Sequence, residues 1–162
     1  MTPAITLLER KQVPFCLHEY THEPDAESFG GEAAEKLGVD ASYIFKTLVL
    51  QLDCGELLVA MVPVLEKLNL KQAAKAAGGK KAKLAEAQQV VRSTGYLLGG
   101  VSPLAQKKAL PALLDESARH IDSIYVSGGK RGLEIELAPE ALCKLTGAVY
   151  APLCQTTAGV NQ

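Results

Sequence analysis

Between Ile44 and Pro63 the chain carries two apolar runs, IFKTLVLQL and ELLVAMVP, separated only by Asp53-Cys54-Gly55. Each run has the length and side-chain chemistry of a strand, and a joint containing Asp and Gly supplies the conformations a tight turn requires. The segment predicts two strands joined by a short turn, the strongest local structural signal in the chain. One residue in it stands out: Lys46 is a cation flanked on both sides by apolar residues. Lysine is almost never fully buried without a partner. Either Lys46 snorkels from a sheet edge with its ammonium in water, or it is held at a cleft. There it can bind a phosphate or carboxylate, donate to a substrate oxygen, or serve as a tuned base. Alternation along the strand sends Thr47 to the opposite face.

Around these strands no βαβ period and no internal repeat is found. Thr2 and Pro3 suit the N-cap and first position of a helix continued by Ala4, Leu7 and Leu8. Residues 13–20 read as a strand, 22–28 as a loop broken by Pro24, and 29–37 as a helix stopped by Gly38. Asn69 caps a helix with Leu70, Ala73, Ala74 and Ala77 at helical spacing, closed by Gly78-Gly79. A short helix over 86–92 ends at Gly95, and YLLGGVSPL (96–104) predicts a strand running into a glycine-rich loop. PALLD and SIYVSGG supply short strands, GLEIELA alternates as a half-buried strand does, Pro139 opens a last helix, and AVYAPL closes the series. The expected fold class is α+β, a mixed β-sheet curled into a barrel-like core with surrounding helices. At 162 residues a single domain is expected over 1–154, with a frayed polar tail over 155–162.

Lys plus Arg number 17 and Asp plus Glu 18, a balance that by itself argues against a nucleic-acid partner. The signs are segregated, however. Seven acids and the single base Lys36 fall between Glu19 and Asp40, whereas Lys67, Lys71, Lys75, Lys80, Lys81 and Lys83 follow one another without an acid. Lys107 with Lys108, and Lys130 with Arg131, add two basic pairs. The lysines form either a solvated helix face or a surface for phosphates, since contacts to a polyanion depend on where charges lie and not on their sum. With no Trp and 5% aromatic residues, an aromatic base-stacking platform is not expected. A composition 48% hydrophobic and 22% charged excludes disordered, collagenous and coiled-coil chains. No run approaches the roughly 18 apolar residues of a membrane span, and the N-terminus lacks signal-peptide features, so a cytoplasmic protein is expected. The four cysteines form no CxxC and read as free thiols, with no metal site.

Two glycine-rich loops follow predicted strands, GGVSP at 99–103 and SGGKRG at 127–132. Neither matches a Walker A or dinucleotide fingerprint. Adjacent glycines let bare N–H groups approach a carbonyl oxygen or phosphate; a rigid turn and a tight hairpin are the structural alternatives. Ser102, Ser127 and Thr94 are hydroxyls with no histidine positioned to activate them, and GxSxG and HExxH are absent, so no triad enzyme is predicted. His18 and His22 fall on a strand and the following loop, without the helical reason for pairing on a metal. Glu134 and Glu136 share a strand face, either as a carboxylate pair or for salt links to neighbouring lysines.

Several blocks together resemble the YbaK/EbsC family of aminoacyl-tRNA deacylases, most closely its cysteine-specific branch. They are TPA at 2–4, Tyr20, Phe29-Gly30, YIFKTL around Lys46, LxLKxxAKAxG at 68–78, RSTGYLLGGVSPLxQKK at 92–108 and IYVSGGKRGLEIEL at 124–137. The resemblance implies a barrel-like mixed sheet, a small pocket for the aminoacylated 3′ end of tRNA, and no cofactor. It makes Lys46 the essential cation at the terminal ribose and ester, and the Gly99 and Gly100 backbone the receiver of the carbonyl oxygen. Tyr20, Phe29, Thr47, Ser127, Gly128, Gly129 and Lys130 shape the pocket. Glu134 stands where the family pattern has Asp. Lys67, Lys71, Lys75, Lys80, Lys81, Lys83, Lys107 and Lys108 become candidates for contacting the acceptor stem. The implied partners are aminoacyl-tRNA, especially Cys-tRNA(Pro), and prolyl-tRNA synthetase in a transient complex, with no DNA and no membrane. The chemistry implied for the cysteine branch is attack by the substrate's own thiol on its ester, which needs no protein nucleophile. Two other readings stay open: an Ala- or Ser-tRNA editing hydrolase using bound water, and a non-catalytic module that binds aminoacyl-tRNA or a nucleotide.

Overall fold

The computed structural model describes residues 1–24 and 29–155, with the side chains of residues 29 and 30 also outside the description. Helix α1 (Pro3–Arg10) is followed by β1 (Cys16–Glu19), α2 (Phe29–Leu37), β2 (Phe45–Leu52) and β3 (Leu57–Pro63). Then come α3 (Leu70–Ala76), β4 (Ala82–Leu84), α4 (Ala87–Thr94), β5 (Ala112–Asp115), β6 (Ile124–Ser127), β7 (Leu133–Leu137), α5 (Pro139–Thr146) and β8 (Val149–Ala151). The helix starts follow their capping residues. The Thr2 hydroxyl accepts from the Ile5 N–H and Pro3 opens α1, the Asn69 side chain accepts from the Gln72 N–H at 3.0 Å, and Glu86 with Gln89 forms a capping box on α4.

β2 and β3 pair antiparallel from Phe45 opposite Pro63 to Gln51 opposite Leu57. They are the centre of a five-stranded mixed sheet of order β4-β2-β3-β5-β8, in which β5 runs parallel to both β3 and β8. One face packs on α1 and α5 through Leu8, Phe45, Met61, Leu114 and Leu142. The other packs on α3 through Leu50, Leu58, Val62, Leu153 and the fully buried Ala73 and Ala74, whose small side chains bring that helix close to the strands. The separate three-stranded sheet has the order β1-β7-β6, antiparallel throughout.

The expected barrel does not form. Closure needs continuous pairing around a ring of tilted strands, but among the described residues the two sheets are joined only by a parallel bridge between Ile44 and Tyr125. The larger sheet also ends on two three-residue strands, β4 and β8. Alternation in a sequence identifies a strand but not its neighbour, so closure was not readable. Three further expectations change. Residues 96–98 form no strand, with Leu97 and Leu98 exposed. β7 is buried over most of its length because it is the central strand of its sheet. β4, too short to show a period, went unpredicted. Gln155 is tied in by its N–H donating to the Lys67 carbonyl at 2.9 Å; the rest of the expected tail, and Asp25 to Ser28 of the expected 22–28 loop, lie outside the described residues. Among the described residues no helix is long and apolar enough to cross a membrane.

Candidate functional site at a forked strand edge

The site follows from how β2 uses its two edges. The Val64 N–H donates to the Ile44 carbonyl (2.9 Å) and the Leu52 N–H to the Glu56 carbonyl (2.8 Å). In an antiparallel ladder this register turns the backbone groups of even-numbered β2 residues toward β3 and those of odd-numbered residues away from it. On the outer edge, β4 pairs with Leu50 to Leu52 and the Ala85 N–H reaches the Val49 carbonyl at 2.9 Å. At the opposite end the bridge from Ile44 leads to β6. Thr47 lies between the two, where the edge forks.

A cavity of about 280 Å³ fills the fork. Ile44 and residues 45–48 of β2 form its floor, Ser127, Arg131 and Glu134 one wall, and Leu98, Gly99 and Val101 the other, with Tyr20 beside them. Because the cavity opens on a strand edge, residues from both faces of β2 reach it, and Lys46 and Thr47 line it together. The 96–104 loop is braced from below: the buried Tyr96 donates its hydroxyl to the Leu104 carbonyl at 2.7 Å, and its N–H donates to the Thr94 hydroxyl at 3.1 Å. The two glycine loops touch. A Cβ on Gly100 would sit 2.8 Å from the Lys130 Cα, closer than real carbons approach, so glycine is required there for the backbones to meet.

Burial lowers the Lys46 ammonium below its usual pKa, with the Cys154 thiol and Glu66 acting in the other direction. Glu134 is 8% exposed, and burial raises its carboxyl to about 7. The Tyr20 hydroxyl is raised by burial first and then by Glu134 and Glu32. The Thr47 hydroxyl oxygen is buried without a hydrogen-bond partner. No His or Cys is among the described residues lining the cavity. The arrangement combines a cation, a carboxyl poised to exchange a proton at neutral pH and an unengaged hydroxyl inside largely apolar walls.

Of the residues singled out in the sequence, Tyr20, Lys46, Thr47, Gly99, Ser127 and Glu134 meet at this cavity. The side chain of Phe29 lies outside the described residues. Gly100, Gly128, Gly129 and Lys130 are not on the cavity wall. The Gly100 N–H donates to the Leu97 carbonyl (3.0 Å), the Gly128 N–H to Leu133 (2.8 Å), and the Gly129 N–H to the Ser127 hydroxyl (3.1 Å); Lys130 is exposed. SGGKRG is thus the tight β6–β7 turn. Glu136 is engaged elsewhere, accepting from Ser123 at 2.6 Å and contacting His18 at 2.9 Å, so it forms no carboxylate pair with Glu134 in the cavity. Sequence reasoning passed over Arg131, whose only signal was its place beside Lys130, and Val64 and Ala33, which carry none.

All eight candidate lysines are exposed, and none forms an ion pair among the described residues. Lys83 lies opposite Gln51, four residues along β2 from Thr47, which is about 13 Å at about 3.3 Å per residue. Lys107 packs its stem over Gly95, at the start of the loop that forms one cavity wall.

The aminoacyl-tRNA editing domain model matches residues 23–145 of this chain. A protein of Enterococcus faecalis, named as a candidate Cys-tRNA(Pro)/Cys-tRNA(Cys) deacylase, EbsC, is 40% identical over 152 residues, covering 94% of this chain and 92% of its own. YwhH of Bacillus subtilis is 26% identical over 125 residues, 76% of this chain and 79% of its own. Among solved structures, a candidate trans-editing enzyme for prolyl tRNA synthetase superposes with a TM-score of 0.81 at 27% identity, over 96% of this chain and 99% of that one.

Proposed function

The chain belongs to the aminoacyl-tRNA editing domain family, and from that premise we propose that it is a trans-acting deacylase removing cysteine from Cys-tRNA(Pro) and Cys-tRNA(Cys). The observation that carries this reading is the cavity in which Lys46, Thr47, Gly99 and Glu134 meet, with no histidine among the described lining residues to activate a nucleophile. A pocket that offers charge and orientation but no attacking group suits a substrate that brings its own nucleophile. The cysteinyl thiol attacks its own ester carbonyl: the C–S bond forms, the C–O bond to the terminal ribose breaks, and a cyclic thiolactone leaves for later hydrolysis. The thiol proton goes to a base and the ribose oxygen regains a proton on departure. Glu134, with a pKa near neutrality, is suited to the first transfer. Lys46 stabilises the oxygen on which charge develops, a contribution worth about 3–4 kcal/mol when one such donor is removed. Selection of cysteine then rests on the thiol, since serine's hydroxyl is a weaker nucleophile at neutral pH and alanine has none.

The exposed lysines, none of them in an ion pair among the described residues, support a contact to the acceptor stem that is independent of sequence. The likeness to a trans-editing enzyme for prolyl tRNA synthetase supports that synthetase as the partner supplying tRNA specificity. The test is single-turnover deacylation of Cys-tRNA(Pro), Cys-tRNA(Cys), Ala-tRNA(Pro) and Pro-tRNA(Pro) by the wild type and Lys46→Ala. The expected result is rapid loss of both cysteinyl esters, slowed at least about 100-fold in the variant. Near-normal rates in Lys46→Ala, or preferential loss of Ala-tRNA(Pro), would overturn it.

A further inference from the structure

The geometry points to Arg131 as a phosphate-binding residue of the cavity, aimed by Glu32 through His22, that takes the 5′-phosphate of the substrate's terminal nucleotide. The inference rests on the tRNA-end reading of the cavity given above.

Arg131 shares the cavity with Lys46 and lies in the space that a side chain at Gly99 would fill. A Cβ there would fall 2.5 Å from its Nε, 2.8 Å from Nη2 and 3.0 Å from Cζ. The guanidinium therefore rests against the Gly99 backbone on the wall of the site. Its Nη1 is 3.1 Å from His22 Nε2. Arginine can only donate, so Nε2 is the acceptor, which assigns the ring proton to Nδ1, 2.7 Å from Glu32 Oε1. Glu32 is held in turn. Its side chain is 5% exposed, its Oε2 accepts from the Glu23 N–H at 2.6 Å, and Lys36 Nζ lies 3.9 Å from it. The hydrogen bond from His22, followed by that from the Glu23 N–H, keeps its carboxyl below the usual pKa and hence ionised.

A fixed carboxylate thus orients an imidazole, and the imidazole orients a guanidinium, the relay by which outer groups set the direction of a binding group. The β6–β7 turn does not need this chain, because it closes on its own backbone bonds, Gly128 N–H to Leu133 and Leu133 N–H to Lys130. What the arrangement adds is a planar cation of fixed direction, and a guanidinium fork matches two phosphate oxygens better than an ammonium does. With the ester placed between Lys46 and Glu134, the anion nearest to it on a 3′-terminal nucleotide is that nucleotide's own 5′-phosphate, on the other side of one ribose. Arg131 and Lys46 then divide the work, one holding phosphate and the other acting at the ester.

The pair adenosine 5′-monophosphate and adenosine isolates the phosphate. Calorimetric titration at low salt is expected to show the wild type binding the monophosphate about tenfold more tightly. Arg131→Ala should bind the two within about twofold of each other, at a wild-type affinity for adenosine, and His22→Ala should retain only part of the preference. A structural role alone would move both ligands together. Arg131→Gln, which keeps the stem, serves if the alanine variant does not fold. Deacylation of Cys-tRNA(Pro) is measured on the same wild-type preparation. Deacylation with no preference for the monophosphate, or a preference that survives loss of Arg131, overturns the Arg131 assignment and leaves the proposed activity standing. A preference that depends on Arg131 in a protein that cleaves no ester supports the phosphate site and removes the deacylase reading.

Discussion

Replacing Glu134 by Gln should make this protein more stable, by an amount that depends on pH. Glu134 is 8% exposed, and desolvation raises its pKa from 4.5 to about 7, with no hydrogen bond or ion pair to offset it among the described residues. Below about pH 4.5 the carboxyl is protonated in both the folded and the unfolded chain, and its ionisation costs nothing. As the pH rises toward 7 the unfolded chain releases the proton while the folded chain retains it, so stability falls through this window. Above it both states are ionised and the full penalty remains. A difference of about 2.5 pH units at about 1.36 kcal/mol per unit gives about 3 kcal/mol. Gln does not ionise. The stability of Glu134→Gln relative to wild type should therefore grow by about 3 kcal/mol from pH 4.5 to pH 8.5, or roughly 6–12 °C in Tm for a chain of this length. Urea or thermal denaturation of both proteins across that range measures it, and taking the difference cancels titrations common to the two. If the gap between the variants is the same at pH 5 and pH 8, the carboxyl is not desolvated in the folded state, and its assignment as a base active at neutral pH fails with it.

Thr47→Val removes a buried hydroxyl that has no partner; stability should hold or rise by up to about 1 kcal/mol while deacylation falls, and a lower Tm would contradict the unsatisfied hydroxyl. Gly100→Ala drives a methyl to 2.8 Å from the Lys130 Cα. Because backbone cannot swing aside as a flexible side chain can, the expected cost is about 1–3 kcal/mol, read as a lower denaturation midpoint, and an unchanged midpoint would mean that the two loops do not pack as described. Substituting Lys80, Lys81 and Lys83 together by Ala should leave folding intact, since all three are exposed. It should also reduce the slope of log affinity for tRNA against log salt by about 2–3; an unchanged slope would exclude this face from the tRNA contact.

Residues that break a local pattern are legible in the sequence itself. Lys46 interrupts an apolar strand, and the paired glycines of 99–100 and 128–129 permit approaches no other residue allows, whereas Glu134 fits the alternation of its strand and only the central place of β7 buries it; Lys46, Glu134 and Gly99 line the cavity, and the loops that carry the glycines pack together. The hairpin and the helix caps are legible for a related reason, because turn chemistry and capping hydrogen bonds are satisfied within a few residues. What the sequence does not reveal is pairing between distant segments. Nothing in the apolar run IFKTLVLQL distinguishes a strand paired along its whole outer edge from one whose edge passes from β6 to β4 and, among the described residues, is unpaired at Thr47 between them. That unpaired stretch is nevertheless what makes the site. It lets residues from both faces of β2 line one cavity, Lys46 and Thr47 among them although alternation sets their side chains apart, and it turns the backbone groups of Thr47 toward the gap. The place of Arg131 at the site was hidden for the same reason: in the sequence it is only the second half of a basic pair in a turn, whereas the residues that orient it, His22 and Glu32, lie about 100 positions away along the 162-residue chain.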